Sequence, residues 1–200
     1  MCREHSIEFD NSIMSAPGLR DIIDLSLHPM FVGTSFSSAE DGVVTPNCTA
    51  ASTLSAAPSS DCEIAQYFLC AEQGLALPEY DFAWWDFVAC MYRNQTALVS
   101  SDAADAQFRT VVAGCASSAA LSDRELRECF SNHTGAALLE RDYESVTSHF
   151  SDAVWIIVNG VYVSDNAQWL DGICDGWQGS QPAGCAYPRE AKHGGVNPRS

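Results

Sequence analysis

The chain has 200 residues, 46% of them apolar, and a formal charge of −16, with a single lysine, Lys192, among its ten basic residues. That length holds one domain, or one domain with a large insertion, and the apolar share is that of a globular protein. So acidic a surface repels phosphate backbones and argues against nucleic acid as a partner; no apolar run approaches the roughly 20 residues of a membrane span, and the longest, residues 153–163, is interrupted by Asn159-Gly160.

Taken in chain order, Ile7, Phe9, Ile13 and Met14 have helical spacing, and Pro17-Gly18 is a stop. Residues 22–30, IIDLSLHPM, alternate apolar and polar and predict a strand that Pro29 ends. Residues 34–61, rich in Ser, Thr, Ala, Gly and Pro, predict a long polar loop. From about Asp61 to Val146 the pattern is helical, and the segments CEIAQYFLC, FAWWDFVACMY, AQFRTVVAGC and SDRELRECF each set a cysteine on or beside an apolar face. Ser122 and Glu125 have capping-box spacing, with Leu121 and Leu126 placed as a hydrophobic staple. Residues 154–163 form two β-rich halves around Asn159-Gly160, a strong hairpin signal. A last helix is expected over Asn166–Cys174, with Asp165 and Gln168 at capping positions, and a disordered tail after Cys185.

The nine cysteines are Cys2, Cys48, Cys62, Cys70, Cys90, Cys115, Cys129, Cys174 and Cys185. They are dispersed, with no C-x-x-C pair and no histidine at finger spacing, so neither a metal site nor a cofactor is implied. Dispersed cysteines in an acidic chain predict disulfides and an oxidising compartment. Three glycosylation sequons, at Asn47, Asn94 and Asn132, point the same way. Met1 runs at once into Cys-Arg-Glu-His, so a signal peptide and a strand ahead of Cys2 are expected upstream of this chain. With such a strand the order becomes βαβ, a helical insertion, then ββα. That is a thioredoxin-like α/β order, in which the catalytic cysteines stand where the first strand meets the first helix.

On that framework the cysteine ladder resembles the gamma-interferon-inducible lysosomal thiol reductase family over nearly the whole chain. Cys48, Cys62 and Cys70 match the three cysteines of the family's signature segment, and Cys90, Cys115 and Cys129 follow in its order. WIIVNG matches its aromatic-led strand ending in Val-Asn-Gly, and Cys174 and Cys185 match its C-terminal pair. The sequence departs from the family at several points. Thr49-Ala50-Ala51 follows Cys48 where the family has Gln-His-Gly, Ala65 replaces an asparagine, and Val154 stands where a thioredoxin-like reductase has a proline. The active-site C-x-x-C reads Cys2-Arg3-Glu4-His5. Either Cys2 is the family's nucleophilic cysteine and His5 replaces the resolving one, or Cys2 is the resolving cysteine.

The resemblance implies a thioredoxin-like fold with a disulfide-rich helical insertion between its second and third strands. Residues 1–33 and 151–186 would form the thioredoxin-like part, 34–150 the loop and insertion, and 187–200 the tail. It also implies a reductase of protein disulfides in a lysosomal, vacuolar or secreted setting, with disulfide-bonded proteins as substrates and a small thiol as reductant. Cys2 and His5 are the candidate catalytic pair, because a helix start and a protonated imidazole both stabilise a thiolate. The other eight cysteines are expected to form four disulfides. Eight allow about a hundred connectivities, and the single bridge expected here is Cys174–Cys185, closing a short loop behind the last helix. Rival readings are a catalytically inactive relative that binds a partner, and a helical, disulfide-rich lipid-handling module. Trp84, Trp85 and Phe87 are read as packing, and His28, His133 and His149 as structural.

Overall fold

The computed structural model describes residues 2–29, 35–38, 43–47, 58–75, 82–95, 105–146, 156–163 and 167–186. Two compact units emerge. Met1–Ile7 with Asp24–Val154 form a helical unit, and Glu8–Ile23 with Trp155–Ser200 form a second, hairpin unit. The expected division grouped all of 1–33 with 151–186. In the structure the stretch from Asp24 belongs with the helices, because Leu27 and His28 are bonded to them.

The helical unit is built around α2 (Pro58–Leu69). Proline at its first position costs no hydrogen bond, since a first-turn N–H has no helical partner. From Ile64 to Ala71 every residue is buried, the mark of a helix enclosed on all sides. Tyr67 stacks on Phe130 with ring centroids 4.9 Å apart and also meets Phe108, while Phe68 meets Phe87 and Tyr92. Around α2 stand α3 (Ala83–Arg93), α4 (Asp105–Ser118), α5 (Asp123–Ser131) and α6 (Thr134–Val146). Trp84, Trp85 and Phe87 are buried in this layer. The residues after α2, Cys70–Gly74, widen into a π-helical turn.

Local chemistry sets the connection from α4 to α5. Ala120 takes a left-handed φ of 58°, its N–H reaches Ser117 O at 3.2 Å, and the Leu121 N–H reaches Ala116 O at 2.9 Å. These two bonds are those of a Schellman motif, which closes the end of a helix. Ser122 then caps α5, its Oγ accepting from the Glu125 N–H at 3.3 Å. Leu121 and Leu126, the staple positions, are both buried. The polar side of α5 carries the i,i+4 pairs Asp123–Arg127 and Arg124–Glu128.

Two expectations fail in this unit. Residues 34–61 were read as a loop, but β1 (Ser35–Ser38) and β2 (Val44–Asn47) pair antiparallel there, Phe36 opposite Pro46. Packing overrides weak strand propensity, since β2 lies against α6 and Phe36 against Tyr143, 5.5 Å between centroids. The strand expected over 22–30 is not formed. Residues 23–29 carry no regular secondary structure, and no described strand pairs with them, so their backbone groups lack the ladder a strand needs.

In the hairpin unit, the end of α1 (Cys2–Phe9) passes into a π-helical stretch, Asp10–Met14. Phe9 packs on Trp169 of α7 (Ala167–Gly176), 5.6 Å between centroids. Ile13, Met14, Leu19, Trp169, Cys174 and Cys185 make its core. Gly18, at φ 74°, turns the chain against Pro182, and the Gly184 N–H reaches Pro17 O at 2.7 Å in the 3-10 turn Ala183–Ala186. β3 (Ile157–Val158) and β4 (Val161–Tyr162) form the expected hairpin, with Asn159 and Gly160 both at positive φ. The Asn159 side chain donates to Gly172 O of α7 at 3.1 Å. The tail and Val154 lie outside the described residues.

Candidate functional site

The cysteines are the first candidates. Cys70–Cys129, Cys90–Cys115 and Cys174–Cys185 are disulfides, and Cys62 is disulfide-bonded too. Cys70–Cys129 ties the π-turn to α5, Cys90–Cys115 ties α3 to α4, and Cys174–Cys185 ties α7 to the 3-10 turn. All seven cysteines with described side chains are therefore oxidised; Cys48 lies outside the described residues. Three such bridges are compatible with a secreted or lumenal protein, and no helix among the described residues is long and apolar enough to cross a membrane.

Cys2 is the first residue of α1, and its side chain is not among those described. His5 stands three residues on in the same helix, half-buried. Residues three apart in a helix share a face. A cysteine at a helix start meets unpaired backbone N–H groups and the positive end of the dipole, both of which favour a thiolate. Of the sequons, Asn94 caps the end of α3 and Asn132 the end of α5, both exposed. The Asn47 side chain lies outside the described residues.

A second constellation has no counterpart in the sequence analysis beyond His28, for which the sequence predicts a structural role with no partner at metal spacing. The structure gives His28 a partner 114 residues away: its Nδ1 lies 2.6 Å from Asp142 Oδ1 on α6. The Asp142 side chain is 4% exposed, whereas that of His28 is 45% exposed. The hydrogen bond to Asp142 raises the His28 pKa above its ordinary value, and burial opposes it less strongly. Next to this pair, Glu72 of the π-turn accepts the Leu27 N–H at 2.9 Å. Burial raises the Glu72 pKa, and the Asp142 charge adds to that. Asp142 Oδ2 is buried with no hydrogen-bond partner. Gln73 donates to Glu72 Oε2 at 3.4 Å and accepts from Arg141 at 2.6 Å, forming the rim. Chemically, the group can hold a proton on the imidazole and orient the ring. Among the described residues, no three His, Cys, Asp or Glu side chains gather as a metal site needs.

No local pattern could have revealed this cluster, because its members are brought together from Leu27–His28, the π-turn and α6 by tertiary folding. The chain matches no family model, and neither a curated protein nor a solved structure matches it significantly.

Proposed function

We propose that the chain is a thiol–disulfide oxidoreductase of protein disulfides in a lysosomal, vacuolar or secretory compartment, with Cys2 as its nucleophile. The observation that carries this reading is the placement of Cys2 at the start of α1 with His5 three residues on. The oxidised state of the seven described cysteine side chains supports it, because those cysteines are committed to bridges. In the reaction the Cys2 thiolate attacks one sulfur of a substrate disulfide. A mixed disulfide forms, and the other sulfur leaves as a thiolate that takes a proton from solvent. With His5 at the resolving position, a small thiol attacks Cys2 Sγ and releases the second substrate thiol. Another small thiol then frees Cys2 and departs as the oxidised dimer.

The test is the rate of iodoacetamide labelling at Cys2 against pH, in wild type and His5→Ala, beside reduction of a disulfide-bonded peptide by wild type and Cys2→Ser. A free thiol titrates near ~8.5. A helix start and a protonated imidazole lower that value. The expected midpoint lies well below 8.5 in wild type and rises in His5→Ala. Midpoints near 8.5 in both, with no reduction of the peptide, would leave the inactive-relative reading, which the His5 in place of a second cysteine favours.

A further inference from the structure

We propose that His28, Asp142 and Glu72 form a proton-operated clasp that holds the irregular segment around Leu27 against the helical layer more tightly in mildly acidic solution than at alkaline pH. The geometry comes first. His28 Nδ1 meets Asp142 Oδ1 at 2.6 Å, and the neighbouring Leu27 N–H meets Glu72 Oε1 at 2.9 Å. Two adjacent residues of a stretch without regular structure are thus fastened to two different elements, α6 and the π-turn. With His28 neutral, the clasp holds a half-exposed imidazole against the Asp142 carboxylate, whose Oδ2 is buried with no partner. A buried carboxylate in that state costs free energy unless a positive charge faces it. Protonating His28 supplies that charge and turns the 2.6 Å contact into a charge-assisted hydrogen bond.

Asp142 and Glu72 are the groups whose charges act on the imidazole. Arg141 reaches the rim only through Gln73. β1 and β2 carry no titratable side chain. The charges of α2 and α5, Glu63, Asp123 and Arg127, act on Tyr67. Both shifts have the same sign. The folded His28 pKa lies above 6.5, so its contribution is complete below that value and is lost as pH rises through the folded value. The folded Glu72 pKa lies above 4.5, so Glu72 also favours the folded state on the acid side. The clasp therefore tightens as pH falls through the raised folded value of His28. The inference stands whether or not Cys2 is catalytic.

The experiment is amide exchange at Leu27, expressed as a protection factor so that the intrinsic pH dependence divides out. It is measured at pH 5.5 and 8 in wild type, in His28→Gln and in Asp142→Asn, together with NMR titration of the His28 ring. Wild type is expected to show about three- to tenfold greater protection at pH 5.5, the size of one charge-assisted bond with a half-exposed partner. In His28→Gln the ratio falls to the value shown by α5 amides in the same sample, which corrects for the general relief of a −16 charge. In Asp142→Asn the His28 midpoint drops. An unchanged Leu27 ratio in His28→Gln overturns the clasp, and that variant changes a half-exposed side chain, so it folds even if Asp142→Asn does not. A His28 midpoint at or below 6.5 in wild type overturns it independently.

Discussion

Substituting alanine for Gly135 tests how tightly the Cys70–Cys129 bridge is seated. Gly135 is the second residue of α6, and a Cβ built there would meet Cys70 Sγ at 2.9 Å, Gln66 Cβ at 3.1 Å and Gln66 O at 3.3 Å. None of these atoms is the free end of a flexible side chain. The sulfur is tied into a disulfide, Gln66 Cβ sits at the root of a buried residue, and the oxygen belongs to α2. Overpacking of this kind costs about 1–3 kcal/mol. Against it stands the gain from replacing glycine in a helix, up to ~1 kcal/mol in an interior and less this near an end. The net expectation is a loss of about 1–2 kcal/mol, or roughly 3–6 °C in Tm for a chain of this length. Gly114 on α4 provides the control. It is exposed and nothing lies within 4 Å of its Cβ position, so Gly114→Ala should gain about 0.5–1 kcal/mol. Thermal unfolding followed by far-UV circular dichroism without reductant measures both, and thiol titration reports whether Gly135→Ala instead relieves the clash by leaving the bridge open. If Gly135→Ala stabilises as much as Gly114→Ala while every bridge stays closed, the packing argument is wrong.

The bridges themselves should rank by the chain they enclose. With separations of 59, 25 and 11 residues, loop-closure entropy gives about 4.3, 3.5 and 2.8 kcal/mol for Cys70–Cys129, Cys90–Cys115 and Cys174–Cys185. Paired Cys→Ala variants in urea unfolding check that order, and a largest loss at Cys174–Cys185 would contradict it. The connection from α4 to α5 offers two substitutions of opposite sign. Ala120→Gly should stabilise by up to about 1 kcal/mol, because its φ of 58° suits glycine. Ser122→Ala should cost about 1 kcal/mol by removing the cap on the Glu125 N–H. Urea midpoints that move the same way in both would refute the reading of this turn.

What the sequence determined by itself was local. Ser122 and Glu125 are three residues apart, Asn159-Gly160 are adjacent, and Cys174 and Cys185 are close enough in the chain to find each other with little loop entropy. In each case the interacting groups sit within one turn or one short loop, so the residue types alone specify the geometry. The dense helical pattern from 61 to 146 was legible for the same reason, since apolar periodicity is read within a window of a few turns. Two other features depended on distant partners. SFSS and VTPN carry little strand propensity, and they pair because α6 and Tyr143 give them a surface to lie on. IIDLSLHPM alternates as a strand should, yet it has no described strand beside it and is fastened instead through Leu27 and His28. The candidate Cys2–His5 pair came from the family resemblance, in which Cys2-Arg3-Glu4-His5 stands at the C-x-x-C position, and both residues fall in one helix. His28, Glu72 and Asp142 were not, because the pairing crosses 114 residues and its strength comes from the burial of Asp142. Burial is a property of the packed chain, and no single residue or spacing encodes it.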